Sequence, residues 1–206
     1  MKKQTLLLLS TLFLALLLAA GLLYNALQDK VSADRLTTMP TFDTQTPNQS
    51  QEDPEETQQP THDQPQDFSA PDFTVTDLED REHRLSEFVG KPIVLNFWAS
   101  WCGPCKSEMP DFQKAYETYG DRIHFVMVNL TDGSGETVKT ASDFIASAGY
   151  TFPVYYDTSS SAAMTYGVNA VPVTYFIDAS GQLVAYGQGA LDAETLLTGI
   201  GMILPE

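Results

Sequence analysis

The chain has 206 residues, with 27 acidic against 11 basic side chains and a net charge of −16. That balance excludes the basic footprint a nucleic-acid-binding protein needs and leaves a soluble, self-repelling chain. The two cysteines and three scattered histidines, His62, His83 and His124, supply no second pair of ligands for a zinc site.

Lys2 and Lys3 precede Thr5 to Tyr24, twenty uncharged and leucine-rich residues. At about 1.5 Å per residue such a helix reaches roughly 30 Å, enough for the hydrocarbon core of a bilayer. The lysines hold the N-terminus in the cytoplasm, so residues 1–27 are expected to form an N-terminal membrane anchor with everything after it exported. A cleaved signal peptide is the alternative, since Val31-Ser32-Ala33 resembles a cleavage site. The apolar run is longer than the roughly 7–15 residues of a signal core, which favours the anchor. Residues 28–70 change character. Pro40, Pro47, Pro54, Pro60 and Pro65 recur among Gln, Thr, Asp and Glu with few apolar residues. Such a stretch buries too little surface to offset its ordering entropy, and is expected to be a disordered acidic tether. His62 falls within it as a solvated side chain.

Residues 71–206 read as one folded domain. Phe73 to Thr76 and His83 to Leu85 flank the turn Asp77 to Arg81 as a β-hairpin, and Ser86 to Gly90 form a short helical turn. Lys91-Pro92 opens a buried strand, Ile93 to Trp98. A helix follows from Cys102 to Tyr119, with Met109, Phe112, Tyr116 and Tyr119 at spacings of three and four. Pro110 inside it predicts a kink. Next come a strand over Ile123 to Leu130, a helix over Glu136 to Ala148, a strand over Phe152 to Tyr156 and a short helix over Ser159 to Tyr166. Val173 to Ile177 and Leu183 to Tyr186 form a second hairpin, and Asp192 caps a final helix from Ala193 to Ile200.

Cys102 and Cys105 sit where the buried strand gives way to a helix. Unpaired backbone N–H groups and the helix dipole favour negative charge there, which lowers a thiol's pKa. The thiolate is the nucleophile of disulfide exchange. Pro104 suits the first helical turn, where no N–H is needed. A bond between residues three apart closes too small a loop to constrain the unfolded chain, so redox activity is favoured over a structural disulfide.

The run Trp101-Cys102-Gly103-Pro104-Cys105 resembles the active-site motif of the thioredoxin superfamily. Extended through Lys106-Ser107-Glu108-Met109-Pro110, it is similar to the TlpA/ResA-like branch, membrane-anchored extracytoplasmic thiol–disulfide oxidoreductases of bacteria. The resemblance implies an α/β fold: a thioredoxin-like mixed β-sheet flanked by helices, with an N-terminal β-hairpin extension. It implies Cys102 as the exposed nucleophile and Cys105 as the resolving thiol. Pro172 matches the family's cis-proline, and the backbone of Val171 would bond an extended substrate in strand fashion. Trp101 would form an apolar lip. Where cytoplasmic thioredoxins have a buried aspartate six residues before the first cysteine, this chain has Asn96, which accepts no proton. Glu108 matches a glutamate of the branch, and burial would raise its pKa and fit it to take the Cys105 proton; a solvated helix glutamate is the competing reading. Trp98 and Phe97 are expected in the core, Lys106 in solvent, and His124 in a structural role.

The implied function is extracytoplasmic reduction of protein disulfides at a bacterial cell membrane by a monomer needing no bound cofactor. Substrates such as apocytochrome c or envelope and secreted proteins, and a membrane electron donor of the CcdA/DsbD type, follow from the resemblance alone. A disulfide-forming oxidase remains the alternative. A thiol peroxidase fits less well, because Ala99-Ser100-Trp101 replaces the Thr-x-x of its cysteine motif.

Overall fold

The apolar run at Ile93 becomes the strand around which the others assemble. All six residues Ile93–Trp98 are buried, as a strand covered on both faces requires. The computed structural model describes residues 36–39, 69–133 and 135–204. In chain order the strands are β1 (Leu36–Thr38), β2 (Thr74–Thr76), β3 (Glu82–Arg84), β4 (Ile93–Trp98), β5 (His124–Asn129), β6 (Val154–Tyr156), β7 (Val173–Ile177) and β8 (Leu183–Gln188). The helices are α1 (Gly103–Tyr119), α2 (Val138–Ala148), α3 (Ser161–Thr165) and α4 (Ala193–Ile203), with a 3-10 turn at Leu85–Phe88.

These strands form one mixed sheet in the order β1-β8-β7-β4-β5-β6-β2-β3. β4 lies parallel to β5 and antiparallel to β7. Alternation along β4 divides the core. Val94 and Trp98 pack with Met109 and Phe112 of α1 and with Leu196 and Ile200 of α4. Ile93, Leu95 and Phe97 pack on the other face with Phe73, Val75, Leu85 and Ala162. Asn96 shares the parity of Val94 and Trp98, which turns it toward α1 and α4. The fold is the thioredoxin-like mixed sheet with flanking helices, and the β2–β3 hairpin is its N-terminal extension.

Most boundaries move inward from the sequence expectation. α2 begins at Val138 rather than Glu136, because Thr137 and Thr140 form a reciprocal capping box. α2 ends at Gly149, whose φ of 72° is the left-handed cap that glycine adopts without a Cβ penalty. α1 continues unbroken through Pro110 to Tyr119. α4 runs on to Ile203. It lies so close to β7 that a Cβ at Gly199 would enter the Phe176 ring.

The tether expectation fails at its described residues. Leu36, Thr37 and Thr38 pair antiparallel with Gly187, Tyr186 and Ala185, and the Met39 N–H donates to the Val184 carbonyl at 2.9 Å. The outer edge of β8 is a row of unpaired backbone groups that a short strand can satisfy, and Leu36 adds a side chain to the core. Ser69 bridges Gln182, and the Ala70 N–H donates to the Gly181 carbonyl at 2.9 Å. Met39 and Ser69 thus both make their contacts beside the start of β8. The anchor expected at 1–27, the rest of the expected tether and His62 lie outside the described residues. Among the described residues no helix is long and apolar enough to cross a membrane.

Candidate active site

Cys102 and Cys105 are joined by a disulfide, their Cα atoms 5.3 Å apart. Cys102 is the N-cap of α1, and the Cys105 N–H donates to its Sγ at 3.1 Å. A sulfur in that position satisfies one of the donors a helix leaves open at its start. The expectation of an exposed nucleophile is corrected here. Cys102 retains only 4% of its surface and Cys105 none. The N-cap geometry turns Cys102 Sγ back over the helix terminus and sets it 3.6 Å from the Val171 carbonyl oxygen. Trp101 next to it is 61% exposed, and Lys106 points to solvent.

The Val171–Pro172 peptide bond is cis. Pro172 is buried and Val171 half-buried at the head of β7, against the cysteine pair. The Pro172 carbonyl is already engaged by the Gly189 N–H at 2.9 Å.

Glu108 lies one turn beyond Cys105 on the same buried face of α1 and is 1% exposed. Its Oε1 accepts from Asn96 Nδ2 at 2.9 Å, and its Oε2 accepts from the Leu191 N–H at 2.9 Å. Burial drives its pKa up, the Leu191 and Asn96 donors hold it back, and the balance lies at about 7. A carboxyl poised near neutrality is suited to exchange a proton with a thiol. Asn96, fully buried, also donates to Thr174 Oγ1 at 3.0 Å.

A second buried carboxylate, Glu136, was not legible as a site residue. It is 0% exposed and accepts from the Ser100 N–H at 2.9 Å, Ser100 Oγ at 2.8 Å and Asn129 Nδ2 at 2.8 Å. Asn129 Oδ1 in turn accepts from Thr131 Oγ1 at 2.8 Å. This network holds the bend at Ser100, two residues before Cys102. Starting α2 at Glu136 puts that side chain on a helix; reading Thr137-x-x-Thr140 as a capping pair leaves it outside the helix and free to turn inward.

The two described histidines are not gathered at the dithiol. His124 packs edge-on to Phe88 at 5.4 Å, and burial, then Lys91, lower its pKa. His83 Nε2 lies 3.1 Å from Asp77 Oδ2 in the N-terminal hairpin. Phe97 and Trp98 are fully buried core residues.

A dithiol–disulfide pair capping a helix behind a buried strand, on this sheet order, is the centre of a thioredoxin-like thiol–disulfide oxidoreductase. Residues 68–186 match the AhpC/TSA family, and the chain belongs to it. It is similar to the thiol–disulfide oxidoreductase ResA of Geobacillus thermodenitrificans, 36% identical over 138 residues that cover 66% of this chain and 77% of that protein. A putative thiol:disulfide interchange protein DsbE from Chlorobium tepidum superposes with a TM-score of 0.59 at 29% identity, over 66% of this chain and 96% of its own. The pneumococcal exposed lipoprotein thioredoxin of Streptococcus pneumoniae superposes with a TM-score of 0.54 at 30% identity, over 64% of this chain and 98% of its own.

Proposed function

We propose that the chain is a membrane-anchored oxidoreductase whose domain works outside the cytoplasm and reduces protein disulfides. The observation that carries the chemistry is Cys102 Sγ at the N-cap of α1, accepting from the Cys105 N–H at 3.1 Å. Once the pair is reduced, that N–H and the helix terminus stabilise a Cys102 thiolate. The thiolate attacks one sulfur of a substrate disulfide, forming a mixed disulfide and releasing the other substrate sulfur as thiolate. Cys105 gives its proton to Glu108 and attacks Cys102 Sγ. The Cys102–Cys105 bond re-forms, the second substrate thiolate leaves, and two electrons have passed to the substrate. The substrate strand lies along Val171 beside the cis Pro172, with exposed Trp101 as an apolar lip.

The Gly103-Pro104 pair resembles that of reducing thioredoxins, which favours reduction. A membrane protein of the CcdA/DsbD type would return electrons, and apocytochrome c or envelope and secreted proteins are the proposed substrates. Export is supported by Lys2 and Lys3 leading into Thr5 to Tyr24, and by the likeness to a neighbour described as an exposed lipoprotein.

The reduction potential of the Cys102/Cys105 couple, measured in a dithiothreitol or glutathione series, tests the direction. A value near about −270 mV supports a reductase, and one near about −120 mV transfers the assignment to a disulfide-forming oxidase. Retention of the full chain in membranes after an alkaline wash tests the anchor.

A further inference from the structure

Asn96 sits at 0% exposure on the central strand, facing the carboxyl that the proposed mechanism uses. Its two amide hydrogens go to different elements, one to Glu108 Oε1 on α1 and one to Thr174 Oγ1 on β7. Its oxygen, Oδ1, is buried with no partner among the described residues. The orientation of the amide is therefore set by two acceptors alone, with nothing gripping its other side. Thr174 is two residues beyond the cis Pro172, on the strand that begins at the docking loop. Its own burial is complete. A hydrogen-bonded line thus runs from the strand that follows the docking loop, through Thr174 and Asn96, to Glu108.

We propose that Asn96 and Thr174 are positioning residues that couple the proton affinity of Glu108 to the docking strand β7. The inference rests on the reading of Glu108 as the proton acceptor for Cys105. Thr174 Oγ1 fixes the amide with its nitrogen toward Glu108, and a donor in that place favours the carboxylate. Freed from Thr174, the amide can turn its oxygen toward Glu108 and favour the protonated acid instead. Movement of β7 under a bound substrate strand then reaches the resolving step as a change in how readily Glu108 takes a proton.

Few other groups compete for this control. On α1 the titratable neighbour on the buried face of Glu108 is Cys105, which is tied to the N-cap Cys102; Lys106 is exposed and Asp111 pairs with Lys114 at 3.1 Å. From β4 and β7, the side chains in the hydrogen-bonded line to Glu108 are the Asn96 amide and the Thr174 hydroxyl, neither of which titrates. From the β8–α4 connection comes the Leu191 N–H, and the adjacent Asp192 carboxylate accepts from the Thr195 N–H at 2.8 Å as the cap of α4.

The test is the pH profile, from pH 5 to 9, of dithiol oxidation by a disulfide-bonded model peptide. It is followed by stopped-flow tryptophan fluorescence on the full chain. Alkylation of Cys102 by iodoacetamide is run in parallel to locate the Cys102 limb. Thr174→Val keeps the shape and removes the acceptor. It is expected to move the resolving limb upward by about half a pH unit, roughly a threefold loss of rate below the limb, with the Cys102 limb unmoved. Asn96→Asp replaces the donor by a second carboxyl that must share a proton with Glu108, and is expected to move the limb further. In a Glu108→Gln background Thr174→Val is expected to move nothing. A profile unchanged by Glu108→Gln overturns the assignment of the acceptor itself. A profile that responds to Glu108→Gln but not to Thr174→Val overturns the coupling, as does an equal shift in both backgrounds. A purely structural role lowers the melting temperature and leaves the limb in place.

Discussion

Replacing Glu108 by glutamine gives the most direct access to the buried carboxyl, because its titration must appear in the stability of the fold. The group rises from the ordinary 4.5 to about 7 in the folded chain through burial, opposed by the Leu191 and Asn96 donors. Between those values the folded state binds more protons than the unfolded one, so stability falls as pH rises. The contribution is full below about pH 4.5 and lost above about pH 7. At 1.36 kcal/mol per unit, the loss is on the order of 3 kcal/mol. Glu108→Gln removes this slope. The amide adds its own offset, since one end must present N–H to a donor, but that offset does not depend on pH. Asp72, whose pKa burial raises but the Ser86 and Arg84 bonds lower overall, loses stability in the opposite direction, as pH falls through its depressed value. It is common to both proteins and cancels in the difference. The assay is urea unfolding of the oxidised chain at intervals from pH 4.5 to 8, with wild type and Glu108→Gln compared at each. The difference curve is expected to climb by about 3 kcal/mol in favour of the variant across that window. Parallel curves would mean that Glu108 does not titrate there, and the mechanism would need another proton acceptor.

Cys102→Ser is expected to abolish insulin-disulfide reduction, while Cys105→Ser accumulates mixed disulfides visible on a non-reducing gel; a Cys105→Ser protein that turns over normally would reverse the assignment of roles. Glu136→Ala strands the Ser100 N–H, Ser100 Oγ and Asn129 Nδ2 donors, and is expected to lower stability by about 3 kcal/mol in urea and to slow reduction. Gly199→Ala drives a methyl group into Phe176 and is expected to cost about 1–3 kcal/mol in thermal unfolding without moving the reduction potential. Hydrogen exchange is expected to show protected amides at Thr37 and Met39, the alternate positions of this edge strand that face β8, with the Met39 protection lost in Thr37→Pro; equal exchange of Met39 in both proteins would remove β1 from the sheet in solution.

The parts of the site that lie close together in sequence are legible in the sequence itself. Strand, cysteine pair and helix form one continuous run from Ile93 to Tyr119, and each step has a local cause: an apolar run, an N-cap, a first-turn proline. β7 is likewise bounded by Pro172 at one end and a turn at Asp178 at the other, and its limits agree with the expectation. What escaped depends on distant partners. Leu36, Thr37 and Thr38 sit in an acidic, proline-rich stretch whose average composition reads as tether. Only the open edge of β8, far along the chain, makes a strand of them. Glu136 looked like one more acidic residue at a helix start until Ser100 and Asn129 closed around it. The burial of Cys102 follows from the turn of one side chain over a helix terminus, and periodicity carries no information about that.

Asn96 shows how a substitution legible as a loss becomes a gain once its neighbours are known. Read alone, asparagine where cytoplasmic thioredoxins carry a buried aspartate removes a proton acceptor from the strand. In the fold a buried carboxyl, Glu108, stands on the helix instead, and the strand supplies a donor to it. Burial by itself pushes the Glu108 pKa up and favours the protonated acid, which has no site left for a proton from Cys105. The Asn96 and Leu191 donors bring it back to about 7, where it can both accept and return one. A carboxyl on α1 also travels with Cys105, since both belong to the same turn of the same helix. The distance between thiol and carboxyl is then set by helix geometry, while the sheet supplies one of the two donors that hold the carboxyl's pKa down.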